Sequence, residues 1–184
     1  MLQLRKKVRE FIFPSEQVLE SLKNLTFQSV LDVGAGTGFF LEFIDKNFSI
    51  KKGIGVEVNP SYFRKLNNRI EILSSVPENE QFDLICFNDV LHHVKDRNSY
   101  DIVTSYSEQY LKPGGHILIK DMSPEKFLYR NFNKVHDFIF SQEFIKDINP
   151  SEIEDICKAG FNIILKGEKR IFLYDHYFYL LKLH

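Results

Sequence analysis

The stretch VLDVGAGTG, residues 30–38, decides the fold of this chain because it joins an apolar segment to a helix-like segment through three glycines. Val30, Leu31 and Val33 predict a β-strand, and residues 39–46 predict the helix that follows. Glycine adopts backbone angles that other residues avoid, and it lets a ligand approach the main chain without meeting a Cβ. A glycine-rich turn between a strand and a helix therefore predicts a nucleotide-type ligand site on an α/β sheet.

The spacing of the three glycines narrows the choice of ligand. Their order is G-x-G-x-G, whereas dinucleotide-binding proteins carry G-x-G-x-x-G. A second acid, Glu57, ends the apolar run GIGVE at residues 53–57. A carboxylate at the end of the second strand can accept hydrogen bonds from both hydroxyls of a ribose. Asn59 and Pro60 follow as an N-cap and a proline suited to the first position of a helix.

Four segments in a fixed order resemble the class I S-adenosylmethionine-dependent methyltransferases. They are VLDVGAGTGFF (30–40), GIGVEVNP (53–60), FDLICFNDVLHHV (82–94) and LKPGGHILIKD (111–121). The ordered set is far more specific than one glycine motif. The resemblance implies S-adenosylmethionine as cofactor. It also implies a Rossmann-like, doubly wound α/β sheet of seven strands, mostly parallel, with an antiparallel strand hairpin at the C-terminus.

Length and composition agree with a small enzyme. The 184 residues suit one domain, residues 1–184, and the 43% hydrophobic content is sufficient for a core. A formal net charge of −1 argues against a nucleic-acid partner. The two cysteines lack metal-ligand spacing, so we expect reduced thiols in a cytoplasmic protein and no metal. We expect neither a signal peptide nor stable membrane insertion. The oligomeric state is not determined by the sequence, and a monomer is the simpler expectation.

The hydrophobic pattern predicts alternating helices and strands up to residue 120 and a different arrangement beyond it. Helices are predicted at residues 2–12, 15–25, 38–46, 60–68 and 97–110, and strands at residues 28–33, 53–58, 70–74, 82–87 and 115–120. An inserted helix at 124–140 follows, then a helix from 149 to 160. Residues 161–166 and 176–182 suit the final hairpin. Segments 1–25 and 123–147 are the expected lid elements.

The resemblance assigns residues to the cofactor. Gly34, Ala35 and Gly36 are expected beneath the methionine part and the ribose. Glu57 is the expected ribose ligand, and Val58 beside it is included in the cofactor site. Asp32 has two readings of equal weight: it binds the ligand's amino group, or it only holds the turn through backbone N–H groups.

The remaining cofactor contacts come from the ends of two later strands. Related enzymes often carry an acid after the third strand, but this chain has Ser74 and Ser75, so Ser75 is the candidate for the adenine. Asn88 ends the fourth strand, where the family places a residue beside the methionine amino group.

The acceptor side offers acids and bases without a definite role. Asp121 ends the fifth strand, at the edge where ligands bind in such sheets. Asp121 and His136 are expected to share a pocket beside the transferred methyl. His93 is a further candidate base, although packing or loop bonding is the favoured reading for both His92 and His93. Residues 118–137 resemble a subgroup of small bacterial methyltransferases, a likeness that supplies site residues but no acceptor.

Three classes of function remain open from the sequence. The favoured class is methyl transfer by in-line displacement to a small-molecule acceptor, which aromatic side chains of the lid segments suggest is apolar or aromatic. A second class is a catalytically silent module that binds the cofactor. The third is a nicotinamide-dependent oxidoreductase, which the glycine spacing disfavours.

Overall fold

Eight strands form one mixed sheet in the computed structural model, which describes residues 13–93, 99–122, 154, 160–171 and 174–183. The strands are β1 (Ser29–Val33), β2 (Lys52–Val56), β3 (Arg64–Lys65), β4 (Ile70–Leu73), β5 (Phe82–Asn88), β6 (Leu111–Met122), β7 (Phe161–Ile171) and β8 (Tyr174–Leu183). Their order across the sheet is β3-β4-β2-β1-β5-β6-β8-β7. The five strands from β4 to β6 run parallel, and β8 pairs antiparallel with both β6 and β7. The expected mostly parallel sheet with an antiparallel C-terminal hairpin is confirmed.

Helices cover both faces of this sheet, which explains why β1 is buried at every position. The helices are α1 (Ser15–Leu22), α2 (Phe39–Phe48) and α3 (Ser99–Tyr110). On one face, α1 and α2 bury Leu22 and Ile44 in a cluster with Leu118 of β6. On the other face, α3 buries Val103 in a cluster with Ile117. Because Ile117 and Leu118 are neighbours on opposite faces, the sheet is doubly wound, as the sequence predicted.

The prediction of a helix at residues 60–68 is wrong, and this difference accounts for the eighth strand. Asn59 caps a turn by accepting from the Ser61 N–H, but the turn is a 3-10 helix that ends at Tyr62. The chain then extends into β3, which pairs antiparallel with β4. The side chain of Asn67 accepts hydrogen bonds from the N–H groups of residues 69 and 70, and this stabilises the hairpin instead of a helix.

Other element bounds differ mainly at their ends. β6 begins at Leu111 rather than at residue 115, because the predicted turn is an irregularity within the strand, with Gly114 at φ 76°. Three predicted helices lie outside the described residues, apart from residues 154 and 160: those at 2–12, 124–140 and 149–160. The lid segment 123–147 lies outside them as well. No helix of the described part is long and apolar enough to span a membrane.

The amino ends of β1, β5 and β6 are tied together by one carboxylate. Asp83 Oδ2 accepts from the N–H groups of Gln28 and Ser29, at 2.9 and 2.8 Å, and from the Ser29 hydroxyl. Lys112 Nζ donates to Asp83 Oδ1 at 2.9 Å. Burial by itself raises the pKa of Asp83, but the hydrogen bonds from Lys112, Gln28 and Ser29 outweigh it and lower this pKa to about 2. This network fixes the sheet at the end opposite the glycine turn.

Candidate active site

The glycine turn is folded tightly between its neighbours at the carboxyl edge of the sheet. Gly34, Gly36 and Gly38 all have positive φ, at 76°, 51° and 77°. The N–H groups of Gly34 and Ala35 donate to Val56 O at 2.8 and 3.1 Å, which fastens the turn to the end of β2. A Cβ at position 34 would lie 2.4 Å from Val90 Cγ2, so only glycine fits there.

The carboxylate of Glu57 is held against this turn. Its Oε2 accepts a hydrogen bond from the Gly36 N–H at 2.9 Å. Its Oε1 accepts from the N–H groups of Val58 and Asn59, at 2.8 and 3.1 Å. An ionised carboxylate offers about four acceptor positions, so the three N–H donors leave capacity for a further donor. The side chain is half-buried and already oriented, which suits recognition of a ligand hydroxyl.

Two polar side chains are buried beside the turn. Asp32 is almost fully buried and lies opposite Cys86 in the register of β1 and β5. Burial raises the pKa of the Cys86 thiol well above its usual range, and the charge of Asp32 raises it further. Thr37 is also buried, and its Oγ1 has no hydrogen-bond partner among the residues that the structure describes. Such an orphaned hydroxyl inside the glycine turn fits a site that binds a polar cofactor.

The predicted adenine-side residues lie on the Glu57 side of the edge. Val58 follows β2 and is 91% exposed. Ser75 follows β4, the strand that pairs with β2, and it is exposed as well. The structure therefore places both candidates just after the ends of neighbouring strands.

The end of β6 makes two side-chain contacts with the turn that follows β5. The buried Lys120 donates through Nζ to Asp89 Oδ2, while Asp121 Oδ1 pairs with His92 Nδ1. Lys120 and Asp121 are adjacent in an extended strand, so their side chains leave opposite faces of the sheet. The contacts of Lys120 and Asp121 therefore hold the turn formed by residues 89–92 from both faces of the sheet. Asn88, at the end of β5, is buried and lies opposite Lys120 in the register.

The histidines separate into different environments. His92 is buried against Asp121, whereas the predicted base His93 is half-buried and contacts the His92 ring, with centroids 4.2 Å apart and ring planes tilted by 43°. His136 lies outside the described residues, so its expected closeness to Asp121 stays a prediction. His116 faces Lys182 in the register of β6 and β8, away from the carboxyl edge. Burial and the charge of Lys182 lower the pKa of His116.

Three of these features were missed from the sequence. Thr37 is inside the quoted glycine motif, and that position was the available signal. The contact of Asp121 with His92 and the pairing of Lys120 with Asp89 join residues about thirty positions apart. No local spacing reveals such pairs, because they depend on the register between β5 and β6.

A mostly parallel sheet with a glycine turn after its first strand, an acid after its second and an antiparallel final hairpin is a Rossmann-like α/β fold. The sequence pattern of the family described as methyltransferase domain matches residues 4–166 of this chain. The chain belongs to this methyltransferase family, which confirms the resemblance inferred from the four motifs.

One curated relative is the ubiquinone biosynthesis O-methyltransferase of Pasteurella multocida (strain Pm70). It is 26% identical over 126 residues, which cover 58% of this chain and 51% of that protein. The chain thus spans about half the length of the curated relative that it matches.

Solved structures support the fold. The N-methyltransferase NodS from Bradyrhizobium japonicum WM9, in complex with S-adenosyl-L-homocysteine, aligns with a TM-score of 0.64 at 16% identity, covering 92% of this chain and 88% of that one. The magnesium protoporphyrin IX methyltransferase from Synechocystis PCC 6803, also with bound S-adenosyl-L-homocysteine, aligns with a TM-score of 0.68 at 14% identity, covering 92% and 82%. At these identities the likeness concerns the fold alone.

Proposed function

We propose that this protein transfers the methyl group of S-adenosylmethionine to a small-molecule acceptor. The observation that carries the proposal is the Glu57 carboxylate, which is fastened to the Gly36 N–H and keeps acceptor capacity at the edge where ligands bind in such sheets. Membership of the methyltransferase family supports the reaction. The homocysteine product bound in two structural neighbours supports the choice of methyl donor.

Each part of the glycine-turn site has a role in holding the donor. Glu57 accepts from the ribose hydroxyls, while Gly34, Ala35 and Gly36 lie beneath the ribose and the methionine part. Asp32 and Asn88 serve the amino group of the methionine, directly or through the turn. Val58 and Ser75 border the adenine, for which the exposed apolar face of Val58 is suited. Thr37 Oγ1 is available as a further hydrogen-bonding group.

The chain contributes to methyl transfer mainly through geometry. The bound donor supplies an activated methyl on a sulfonium, so no nucleophile of the protein is required. The protein must hold the acceptor atom in line with that methyl, and positioning of this kind supplies up to about 7–11 kcal/mol of the barrier reduction. A base is required only where the acceptor must lose a proton, and Asp121, His93 and His136 are the candidates.

The acceptor class rests on weaker support and is part of the proposal. The curated relative is named for ubiquinone biosynthesis, and one structural neighbour is named for magnesium protoporphyrin IX. Ubiquinone and magnesium protoporphyrin IX are both small molecules with conjugated rings. An apolar or aromatic small molecule is therefore proposed here, covered by lid segments at 1–25 and 123–147. Within the first lid segment, α1 and Phe13 are packed into the core. We also propose a cytoplasmic location, no nucleic-acid partner, and a monomer as the simpler state.

Calorimetry with S-adenosylhomocysteine and with NADH tests the donor. We expect micromolar affinity for S-adenosylhomocysteine and no response to NADH. Tight NADH binding without a response to S-adenosylhomocysteine would instead support an oxidoreductase and overturn the proposal.

Radiolabelled S-adenosylmethionine, incubated with the protein and a bacterial metabolite extract, tests the transfer step. Label in a small-molecule fraction is the expected result. Binding of the donor with no transfer into any fraction would favour a catalytically silent module.

A further inference from the structure

Lys120 and Asp89 are joined twice at the carboxyl edge of the sheet. The Lys120 side chain is 2% exposed, and its Nζ donates to Asp89 Oδ2 at 2.5 Å. The Asp89 N–H donates back to the carbonyl oxygen of Lys120 at 2.8 Å. Asp89 has a φ of 53°, in the left-handed region that few L-residues other than Asn and Asp adopt. The two bonds from β6 therefore hold the turn in a less common backbone conformation.

This turn bears directly on the glycine turn. Val90 follows Asp89, and its Cγ2 would lie 2.4 Å from a Cβ at position 34, so it packs against the bare α-carbon of Gly34. On its other side, Gly34 is hydrogen-bonded to Val56 of β2. The glycine turn is thus confined between the end of β2 and Val90. The position of Val90 is in turn set by Asp89.

The ammonium group also reaches a second neighbour of the glycine turn. Lys120 Nζ lies 5.8 Å from the ring centroid of Phe13, within the range of a cation–π contact. The Phe13 ring packs edge-on against Phe39, with centroids 5.3 Å apart. Phe39 is the first residue of α2, directly after Gly38. One buried cation therefore contacts the 89–92 turn, which packs against Gly34, and the aromatic group next to the end of the glycine turn.

A buried ion pair is a weak means of gaining stability, because removing both charges from water costs much of what their attraction returns. The contacts of this pair converge on the glycine turn from two sides. We propose that the Lys120–Asp89 pair is a positioning device. It fixes the glycine turn and the 89–92 turn in one arrangement for binding S-adenosylmethionine. This inference rests on the proposed function, and neither side chain needs to touch the ligand.

The test compares two double variants, each of which replaces the lysine–aspartate pair at one end of β5 and β6. In Lys120→Met with Asp89→Asn, both charges of the pair are removed together, so neither is left buried without the other. The matched control is Lys112→Met with Asp83→Asn, which removes the lysine–aspartate pair at the amino ends of β6 and β5. If the first variant leaves the binding arrangement populated about one tenth of the time, the Kd for S-adenosylhomocysteine rises about tenfold. The control should lower the melting temperature and leave this Kd within about twofold.

Hydrogen exchange of the unliganded proteins supplies a readout that does not depend on binding. We expect faster amide exchange at residues 34–38 and 88–93 in the first double variant only. Equal effects of both variants on the Kd, or no change in either readout for the first, would overturn the inference. If the wild-type protein does not bind S-adenosylhomocysteine, the proposed function fails. The exchange data then decide separately whether the pair fixes the two turns.

Discussion

Replacing Glu57 by alanine is the sharpest test of the cofactor site. The wild-type carboxylate accepts from three backbone N–H groups, two of them on the exposed residues Val58 and Asn59. Water replaces the lost acceptor at exposed positions, so the expected loss of stability is small, about 1 kcal/mol. A charge-assisted hydrogen bond to a ribose hydroxyl is worth about 1.5–3 kcal/mol at most. A net loss of about 1.4 kcal/mol after water substitution raises the Kd for S-adenosylhomocysteine tenfold.

Calorimetry on four proteins makes this measurement specific: the wild type, Glu57→Ala, Glu57→Gln and Glu108→Ala. Glu108 is an exposed acid on α3, so its removal controls for the change in net charge. The glutamine variant keeps one acceptor oxygen but turns its NH₂ group toward a backbone N–H, and an intermediate affinity is expected. Melting temperatures near that of the wild type would show that the fold survives. An unchanged Kd for Glu57→Ala would refute the reasoning, because the ribose would then be held elsewhere.

Three further predictions address the sheet and the acceptor side. The pKa of Asp83 is lowered from 3.8 to about 2, so its stabilising effect is fully present above pH 4 and is lost as the pH falls toward 2. Denaturant unfolding should show Asp83→Asn less stable than the wild type by about 1–2 kcal/mol at pH 7, allowing for solvent screening, and this difference should disappear only as the pH falls below about 2. Gly34→Ala should lower the free energy of unfolding by about 1–3 kcal/mol more than Gly114→Ala does. Both glycines have φ 76°, but only position 34 lacks room for a Cβ. Equal losses in the two variants would exclude the clash as the cause. Asp121→Asn combined with His136→Gln should lower methyl transfer into the metabolite extract at least about a hundredfold while donor affinity stays within about threefold, and full transfer would remove both residues from the reaction.

The sequence predicted those parts of the fold that depend on local constraints. Strand β1 is readable because Val30, Leu31 and Val33 are apolar around Asp32, and the turn after it requires glycine at three alternate positions. The antiparallel hairpin of β7 and β8 follows from two nearby β-like segments. Glu57 was located for the same reason, since a strand end fixes which edge of the sheet its side chain occupies.

Competing local interactions explain the main error. Asn59 and Pro60 start a helical turn as predicted, and a helix-like pattern continues from there. The side chain of Asn67 accepts two backbone N–H groups and stabilises a hairpin, which gives β4 a short antiparallel neighbour. A cap identifies where a helix begins, but the residues that end it decide whether a helix or a strand follows.

The two ends of β5 and β6 carry the same pairing of lysine with aspartate, and the surroundings give the pairs different consequences. At the amino ends, Lys112 and Asp83 are partly exposed, and hydrogen bonds lower the pKa of Asp83, so this pair stabilises the folded state. At the carboxyl ends, Lys120 is buried and its aspartate lies in a left-handed turn, so desolvation and backbone conformation oppose the attraction. Substitutions at the amino ends should therefore change unfolding more than ligand affinity. Double substitutions that remove both charges at the carboxyl ends should instead change ligand affinity more than unfolding, which makes stability and binding separable along two neighbouring strands.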